Sequence, residues 1–308
     1  MNVTILTTTY KRPELLKRLG KVIIPIINKF KGNLRWQIII DNNDNSYDNV
    51  LEEFTERVNV KSLINATKQT NLGKFRSVVN FLNQINSDEW IVNIDDDDLV
   101  INYRFENFLD KLDSFKNINA ILCPILILDK SIFHDLFNRK LKLFSKYNNQ
   151  KMSYFDFKDK FGDVDTIIFF RKYHLNLNTL PEIKSEKFTS ESLLWLNLFP
   201  NSDLMVVNNH IVYSQYLSSG LTQSTTLNRI FNPVSAISVY KKFLQSKKFS
   251  LSKIFIKSLI NYYRFSLHAK KKIYIRNENI GNIFIRFLGL NLAKIIYLYD
   301  KMLVVIKS

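Results

Sequence analysis

The chain has 308 residues, of which 46% are hydrophobic and 23% are charged, and its formal net charge is +16 at pH 7. This composition is ordinary for a globular protein that buries a full core, and it excludes an intrinsically disordered chain. The single cysteine, Cys123, excludes an intramolecular disulfide and a zinc site built from thiolates. Its apolar neighbours predict a buried thiol.

The basic charge is concentrated toward the carboxyl terminus. From Lys241 onward fifteen lysines and arginines are opposed only by Glu278 and Asp300, so the preceding part of the chain is close to neutral. This distribution predicts a near-neutral body followed by a basic docking region. The amino-terminal run enters a strand-like segment with no basic stretch and no cleavage site, so we expect a cytoplasmic protein.

Strand-like and helix-like segments alternate through the body. Short apolar, β-branched runs predict strands at 3–8, 36–40, 58–64 and 90–94, and helical spacing predicts helices that begin near 14, 49 and 73. Their order predicts an α/β fold with a mostly parallel, Rossmann-like sheet and helices on both faces. Ligands bind at the carboxyl ends of strands in such sheets, so the polar segments 8–12, 41–46 and 95–98 should converge on one crevice.

Four consecutive aspartates, Asp95 to Asp98, follow the predicted strand 90–94. Adjacent carboxylates repel one another, and a divalent cation bound between them relieves that repulsion. Oxygen ligands in a chain without a histidine or cysteine cluster favour Mg²⁺ or Mn²⁺ over zinc. A solvated acidic turn is the alternative, but the position directly after a buried strand favours a metal site.

Several segments, taken in order, resemble the family 2 glycosyltransferases with the GT-A fold. Residues 3–13 are similar to the family's first strand and donor-binding loop, 38–43 to its second strand, 71–76 to its Asn-x-Gly segment, and 90–98 to the strand that leads into its Asp-x-Asp signature. Residues 180–191 and 213–233 resemble the acceptor-side and closing segments of a subgroup that builds bacterial surface and capsular polysaccharides. The resemblance extends from residue 2 to about residue 245.

The resemblance implies an inverting transferase that moves a hexosyl or N-acetylhexosaminyl group from a nucleoside diphosphate sugar, with uridine diphosphate preferred. The acceptor would be a hydroxyl of a lipid-linked saccharide or a polysaccharide. It also implies Mn²⁺ or Mg²⁺ held by Asp95 and Asp97. The donor site would comprise Thr8, Thr9, Tyr10, Arg12, Asp41, Asn71, Gly73, Lys74, Arg76, Asp95 and Asp96.

Individual roles within this predicted donor site follow from side-chain chemistry. Asp41 can accept a hydrogen bond from a pyrimidine imide, which is why uridine is preferred. Arg12, Lys74 and Arg76 can meet phosphate or sugar oxygens, with arginine suited to bidentate contacts. For Lys74 and Arg76 a solvated surface position is the alternative.

The acceptor hydroxyl needs a base, because it is a poor nucleophile while it keeps its proton. The resemblance points to Glu191, which precedes an apolar helix-like run. Many family members have a Glu-Asp pair here, whereas this chain has Ser190 and Glu191, so Glu186 stays open as the alternative base. A carboxylate in the first turn of a helix also has a structural explanation, since it favours the helix dipole.

The basic region defines the predicted domain organisation. Residues 1–230 are expected to form the transferase domain, with a nucleotide-sugar half at about 1–100 and an acceptor half at about 101–230, and residues 231–308 a basic helical region. On a helix starting near 251, one side carries Phe255, Ile256, Leu259, Ile260, Tyr263 and Leu267, and the other carries Lys253, Lys257, Arg264 and Lys271. This pattern is typical of a helix in a membrane interface, so we expect peripheral binding to the anionic inner face of the plasma membrane. A helical domain or a surface for a protein partner is the alternative.

Other functional classes fit less well. A metal-dependent nucleotidyltransferase usually has a glycine-rich phosphate loop near its first strand, and this chain has seven glycines, none before Gly20. A non-catalytic protein that binds nucleic acid or membranes would explain the basic region but not the four aspartates, and we expect no nucleic-acid partner. The sequence leaves the sugar, the acceptor and the oligomeric state open, a homo-oligomer included.

Overall fold

The computed structural model describes residues 1–43, 45–60, 63–85, 89–115, 117–127, 141–171, 186–201, 203–214, 224–246, 252–270 and 283–307. The predicted motif residues at 180–183 and 220–222, and Lys271 of the predicted basic face, lie outside these ranges. The chain divides into two compact units. The first comprises Met1–Met152, Asp163–Leu175 and Asn201–Tyr216, and the second comprises Ser153–Gly162, Asn176–Pro200 and Leu217–Ser308.

The first unit is built on an eight-stranded sheet with the order β3-β2-β1-β4-β9-β6-β10-β8 and a three-stranded sheet with the order β5-β11-β7. The strands are β1 (Asn2–Thr9), β2 (Asn33–Ile40), β3 (Ile64–Lys68), β4 (Trp90–Asn93), β5 (Leu99–Val100), β6 (Ala120–Pro124), β7 (Leu126–Ile127), β8 (Lys151–Met152), β9 (Thr166–Arg171), β10 (Leu204–Val206) and β11 (Val212–Ser214). In the large sheet β9 and β8 run antiparallel to their neighbours, and the remaining pairs are parallel. The predicted α/β fold with a mostly parallel sheet is therefore confirmed.

Among the described residues, four α-helices of the first unit and six of the second are described over their full length, and residues 141–146 of the first unit are helical as well. The first four are α1 (Pro13–Lys29), α2 (Asp48–Arg57), α3 (Lys74–Gln84) and α4 (Asn102–Lys111). The other six are α5 (Tyr154–Phe161), α6 (Ser192–Leu198), α7 (Thr225–Phe231), α8 (Pro233–Ser246), α9 (Lys253–His268) and α10 (Ile283–Lys307). Right-handed crossovers place α1 and α2 on one face of the sheet and α3 on the other, because the strand order reverses after β3.

Helix α1 shows how local sequence builds this layer. Pro13 occupies the start of the helix, where its missing N–H costs nothing, and Leu16, Leu19 and Ile23 are buried at helical spacing. Gly20 lets α2 approach closely, because a Cβ there would lie 2.3 Å from the ring of Phe54. That ring packs in turn on Trp36 of β2, with the ring centroids 5.2 Å apart.

The third strand lies later in the chain than the sequence predicts. The sequence predicts a strand at 58–64, whereas β3 is Ile64–Lys68, paired in parallel with Trp36–Ile40. Val58 instead caps α2, donating its N–H to the carbonyl of Phe54. The strand β3 is at the sheet edge and its middle residues are exposed, so no apolar alternation marks it in the sequence.

The second unit packs α9 between neighbouring helices. Tyr240 of α8 stacks on Phe265 of α9 with ring centroids 5.8 Å apart, and Leu259 and Tyr263 of α9 lie against Gly289 of α10. Three residues of the side predicted to face a membrane, Phe255, Leu259 and Tyr263, are therefore covered by protein, whereas Ile256 on that side is 41% exposed. Among the helices of the described residues, none is both long enough and apolar enough to cross a bilayer.

Candidate active site

The carboxyl ends of β1, β2 and β4 bring the predicted polar segments together. The N–H of Asp41 donates to the carbonyl of Thr9 over 2.9 Å, and the N–H of Ile94 donates to the carbonyl of Leu6 over 2.9 Å. The hydroxyl of Thr9 donates to Asp96 over 2.6 Å. In the sheet β1 lies between β2 and β4, so these ends meet where the strand order reverses, which is where open α/β sheets bind ligands.

The four aspartates form a tight turn in which alternate side chains point outward. The side chains of Asp95 and Asp97 are 39% and 23% exposed, whereas that of Asp96 is 6% exposed and Asp98 is buried. The carboxylate of Asp98 accepts the N–H of Asp95 over 3.1 Å and so closes the turn. The two aspartates of the predicted Asp-x-Asp pair are thus the two that a ligand can reach.

Basic side chains surround this turn. Lys74 places its Nζ 2.6 Å from Oδ1 of Asp95, and Arg12 places Nη1 3.2 Å from Oδ2 of Asp97 and 3.4 Å from Oδ1 of Asp96. These are the cations predicted to meet donor phosphates. They form ion pairs with carboxylates of the acidic turn, among them the two predicted to hold the metal ion. If a cation and donor phosphates bind, the carboxylates would contact the cation and the two basic side chains would contact the phosphates.

Burial governs the protonation of the turn. It raises the pKa of Asp96 to about 6, against the opposing effects of the Thr9 hydrogen bond and the Arg12 charge. Burial and the neighbouring Asp95 carboxylate raise the pKa of Asp97, and burial raises the pKa of Asp98 well above its usual range. Desolvation and like charges therefore disfavour full ionisation of the turn.

The donor set suits a hard divalent cation that completes its coordination elsewhere. Within the part of the chain that the structure describes, no three His, Cys, Asp or Glu side chains converge as a complete metal cage. Mg²⁺ is commonly held by one or two carboxylates together with substrate phosphates and water, rather than by a cage of protein ligands. The outward pair, Asp95 and Asp97, fits that pattern with oxygen ligands alone.

The carboxylate of Asp41 organises the loop that follows β3. Oδ1 accepts the N–H of Leu72 and Nε2 of Gln69, and Oδ2 accepts the N–H of Gly73, each over 2.8 Å. Gly73 begins α3 with a φ of 84°, a region that favours glycine. A carboxylate offers about four acceptor positions, so three of them already shape the loop that carries Asn71.

We expect Asp41→Ala to destabilise the protein as well as to weaken donor binding. The change leaves the N–H groups of Leu72 and Gly73 without their acceptors, so the free energy of unfolding should fall by about 2–4 kcal/mol. Urea denaturation measures this change. Asp110→Ala, at an exposed position on α4, is the control and should leave the midpoint unchanged. An unaltered midpoint for Asp41→Ala would show that the carboxylate does not organise the loop.

Two residues that the sequence analysis missed support this site. The hydroxyl of Tyr47, a fully buried residue, accepts the N–H of Arg12 over 2.8 Å and lies 3.1 Å from Oγ1 of Thr9. Arg18 of α1 donates to the carbonyl of Asp97 over 2.8 Å. Tyr47 had no signal in the sequence, because its partners are 35 and 38 residues away.

The other predicted donor residues lie around the same strand ends. Thr8 is buried at the end of β1, and Tyr10 is exposed just after it. Lys11, the next residue, has a φ of 54°, so the backbone of this loop is held in a strained conformation. Arg76 lies in the first turn of α3, and its buried Nη2 has no hydrogen-bond partner among the described residues.

The two candidate bases, both in the second unit, differ in their surroundings. Glu186 is buried, and its two carboxylate oxygens accept the N–H groups of Val234 and Ser235 over 2.8 and 2.6 Å. It therefore caps the amino terminus of α8. Glu191 is half-buried at the N-cap of α6, and within the described residues its side chain makes no capping hydrogen bond to that helix.

The family model "Glycosyl transferase family 2" matches residues 4–176, which is more than half of the chain and includes most of β1, the acidic turn and β9. The chain belongs to glycosyl transferase family 2. It is therefore a glycosyltransferase. The family membership favours this function over the two alternatives considered from the sequence, a metal-dependent nucleotidyltransferase and a non-catalytic binding protein. No protein of curated function matches the chain significantly.

Solved glycosyltransferase structures share the fold at low sequence identity. A 1–349 fragment of TarS from S. aureus, solved with UDP-GlcNAc, is 12% identical with a TM-score of 0.57, covering 86% of this chain and 81% of that chain. The mannosyltransferase PcManGT from Pyrobaculum calidifontis, solved with GDP-Man and Mn²⁺, is 12% identical with a TM-score of 0.56, covering 97% and 88%. Glucosyl-3-phosphoglycerate synthase from Mycobacterium tuberculosis, solved with Mn²⁺ and UDP, is 10% identical with a TM-score of 0.50, covering 78% and 79%. The GT-A fold of this glycosyltransferase is thereby confirmed.

Proposed function

We propose that this glycosyltransferase transfers a hexosyl or N-acetylhexosaminyl group, with inversion, from a nucleoside diphosphate sugar to a hydroxyl of a lipid-linked saccharide or a polysaccharide. The observation that carries the donor half of this proposal is the pair of outward carboxylates, Asp95 and Asp97, flanked by Lys74 and Arg12 at the strand ends. Carboxylates and cations in one cleft match a ligand that brings both a divalent ion and phosphates.

In the proposed donor complex, the carboxylates, the basic side chains and the Asp41 loop of this cleft would each contact a different part of the donor. When bound, Mn²⁺ or Mg²⁺ supplies Lewis-acid stabilisation of the leaving diphosphate. Arg12 and Lys74 would turn from the aspartates to the phosphate oxygens, and Arg76 would offer a further donor. The loop held by Asp41 would border the base, with the remaining acceptor position of Asp41 facing a uracil imide. Structures of the fold with UDP-GlcNAc, UDP and GDP-Man support a nucleotide-sugar donor, and Asp41 favours uridine among them.

The acceptor hydroxyl would lose its proton to Glu191. The commitment of Glu186 to the amino terminus of α8 supports this choice, because a base must be able to accept a further proton from a substrate. We also propose that the enzyme works in the cytoplasm at the inner face of the plasma membrane, in the assembly of a bacterial surface polysaccharide. The predicted division at residue 230 into a transferase domain and a basic region belongs to this proposal.

Thermal-shift screening of uridine, guanosine and thymidine diphosphate sugars with Mn²⁺, Mg²⁺ or neither tests the donor proposal. A ligand at a hundred times its dissociation constant stabilises the native state by about 2.7 kcal/mol, which for a chain of 308 residues is a rise in Tm of roughly 4 °C. We expect that rise with a uridine diphosphate sugar plus a cation, and much smaller rises with either alone. The absence of any rise with every donor and cation would contradict the proposal.

A further inference from the structure

The last helix, α10, exposes a broad apolar side on which Asn291 is a polar, half-buried exception. Its exposed large hydrophobic residues include Phe287, Leu288, Ile295, Leu298, Tyr299 and Met302, each between 50% and 65% exposed. Their spacing of three and four residues places them on one side of the helix, which they cover over more than 100°. A broad exposed apolar surface of this kind marks a site that something else covers.

The opposite side of α10 is packed on α9. Ala293 and Asp300 are fully buried, and a Cβ added at Gly289 would lie 3.2 Å from the side chain of Leu259. The ring of Tyr297 lies 4.7 Å from that of His268, in an edge-to-face arrangement. The exposed apolar side is therefore not the side that builds the core of the second unit.

A buried ion cluster fixes which side of α10 points outward. Asp300 accepts Nε and Nη2 of Arg264 over 2.6 and 2.5 Å, and its Oδ2 lies 2.8 Å from Nε2 of His268. Rotation of α10 about its axis would leave a carboxylate and a guanidinium buried without partners, which is strongly unfavourable. The cluster thus holds the apolar side of α10 away from α9.

Charge decides what covers this side. Lys294 and Lys301 lie exposed along one edge of it, and the chain from Lys241 onward carries fifteen basic residues against two acidic ones. A second copy would bring like charges together, whereas an anionic bilayer attracts them. The exposed side is also wider than the narrow seam of a two-helix coiled coil.

We propose that α10 docks the protein on an anionic bilayer, lying in the membrane interface with Ile295, Leu298 and their neighbours inserted among the lipids. The inference deepens the proposed membrane association by naming its surface, and it does not depend on the proposed sugar transfer. It moves the docking surface from α9, where Phe255, Leu259 and Tyr263 are buried by neighbouring helices, to the helix that follows it.

Co-sedimentation of the full chain with phosphatidylcholine vesicles, with and without phosphatidylglycerol, tests this surface. We expect binding to the anionic vesicles, and the double change Ile295→Asn with Leu298→Asn should weaken it at least tenfold, because two large side chains no longer insert. Lys294→Gln with Lys301→Gln should weaken binding to anionic vesicles by roughly 25-fold and leave binding to neutral ones unchanged. Val60→Asn, at an exposed position in the first unit, is the matched control and should bind like the wild type.

Three results would overturn the proposal. The first is wild-type binding by the Ile295→Asn, Leu298→Asn protein, which would place the docking surface elsewhere. The second is a wild-type protein that does not bind vesicles but forms a dimer in sedimentation equilibrium, together with an Ile295→Asn, Leu298→Asn protein that is monomeric. The third is a wild-type protein that neither binds vesicles nor dimerises. Thermal unfolding without ligand, measured on the same proteins, shows whether each variant is folded. Donor-induced thermal shifts, measured separately, keep a failure here distinct from a failure of the proposed donor site.

Discussion

Replacing Asp97 with asparagine is expected to abolish the cation-dependent part of donor stabilisation and to lower the rate of sugar transfer at least 100-fold. The carboxylate is one of the two outward ones of the acidic turn, and a cation that stabilises a leaving diphosphate contributes several kcal/mol to such a reaction. Thermal shifts with donor, with and without Mn²⁺, measure the first effect. Release of nucleoside diphosphate measures the second.

The same change should leave the ligand-free fold nearly as stable as the wild type. It removes a partly buried ion pair with Arg12, but it also removes one of four neighbouring carboxylates that repel each other. We expect the free energy of unfolding to change by less than about 1 kcal/mol. Asp110→Asn on α4 is the control, with no effect on donor response. If donor and Mn²⁺ raise the Tm of the Asp97→Asn protein as much as that of the wild type, Asp97 does not hold the metal ion.

Glu191→Gln is expected to slow transfer by about 10²–10⁴-fold while donor affinity stays at the wild-type value, since a positioned base contributes that much. Glutamine keeps the shape of the side chain at the start of α6 but cannot take a proton from the acceptor. Transfer is measured with isolated membranes as the source of acceptor, and donor affinity by thermal shift.

Glu186→Gln separates the two candidate bases. Its carboxylate caps α8 through two N–H groups, and an amide can accept only one of them well, so we expect a loss of about 1–3 kcal/mol in the free energy of unfolding. Transfer at temperatures where this variant is folded should continue. Loss of transfer with intact stability in Glu186→Gln, together with a normal rate in Glu191→Gln, would reverse the assignment.

The predicted fold depended on local signals, and those signals were strongest in the interior. The strands β1, β2 and β4 are buried between helices, so their apolar runs stand out in the sequence. The edge strand β3 has three exposed central residues, so no apolar pattern marks it in the sequence. The predicted strand, 58–64, therefore ends where β3 begins. Helix α9 was predicted to be amphipathic, but periodicity cannot distinguish a lipid from a neighbouring helix as the cover of its apolar side.

The sequence by itself determined the α/β class, the strand ends at which polar residues gather, and the position of the four aspartates after β4. These follow from the identity and spacing of neighbours in the chain. Only the tertiary structure decided that Asp95 and Asp97 point outward, that Asp41 holds the loop before α3, and that α10 exposes an apolar side. Each of these depends on partners distant in the chain, such as Thr9 and Asp96, which are 87 residues apart, and no local pattern encodes such a pairing.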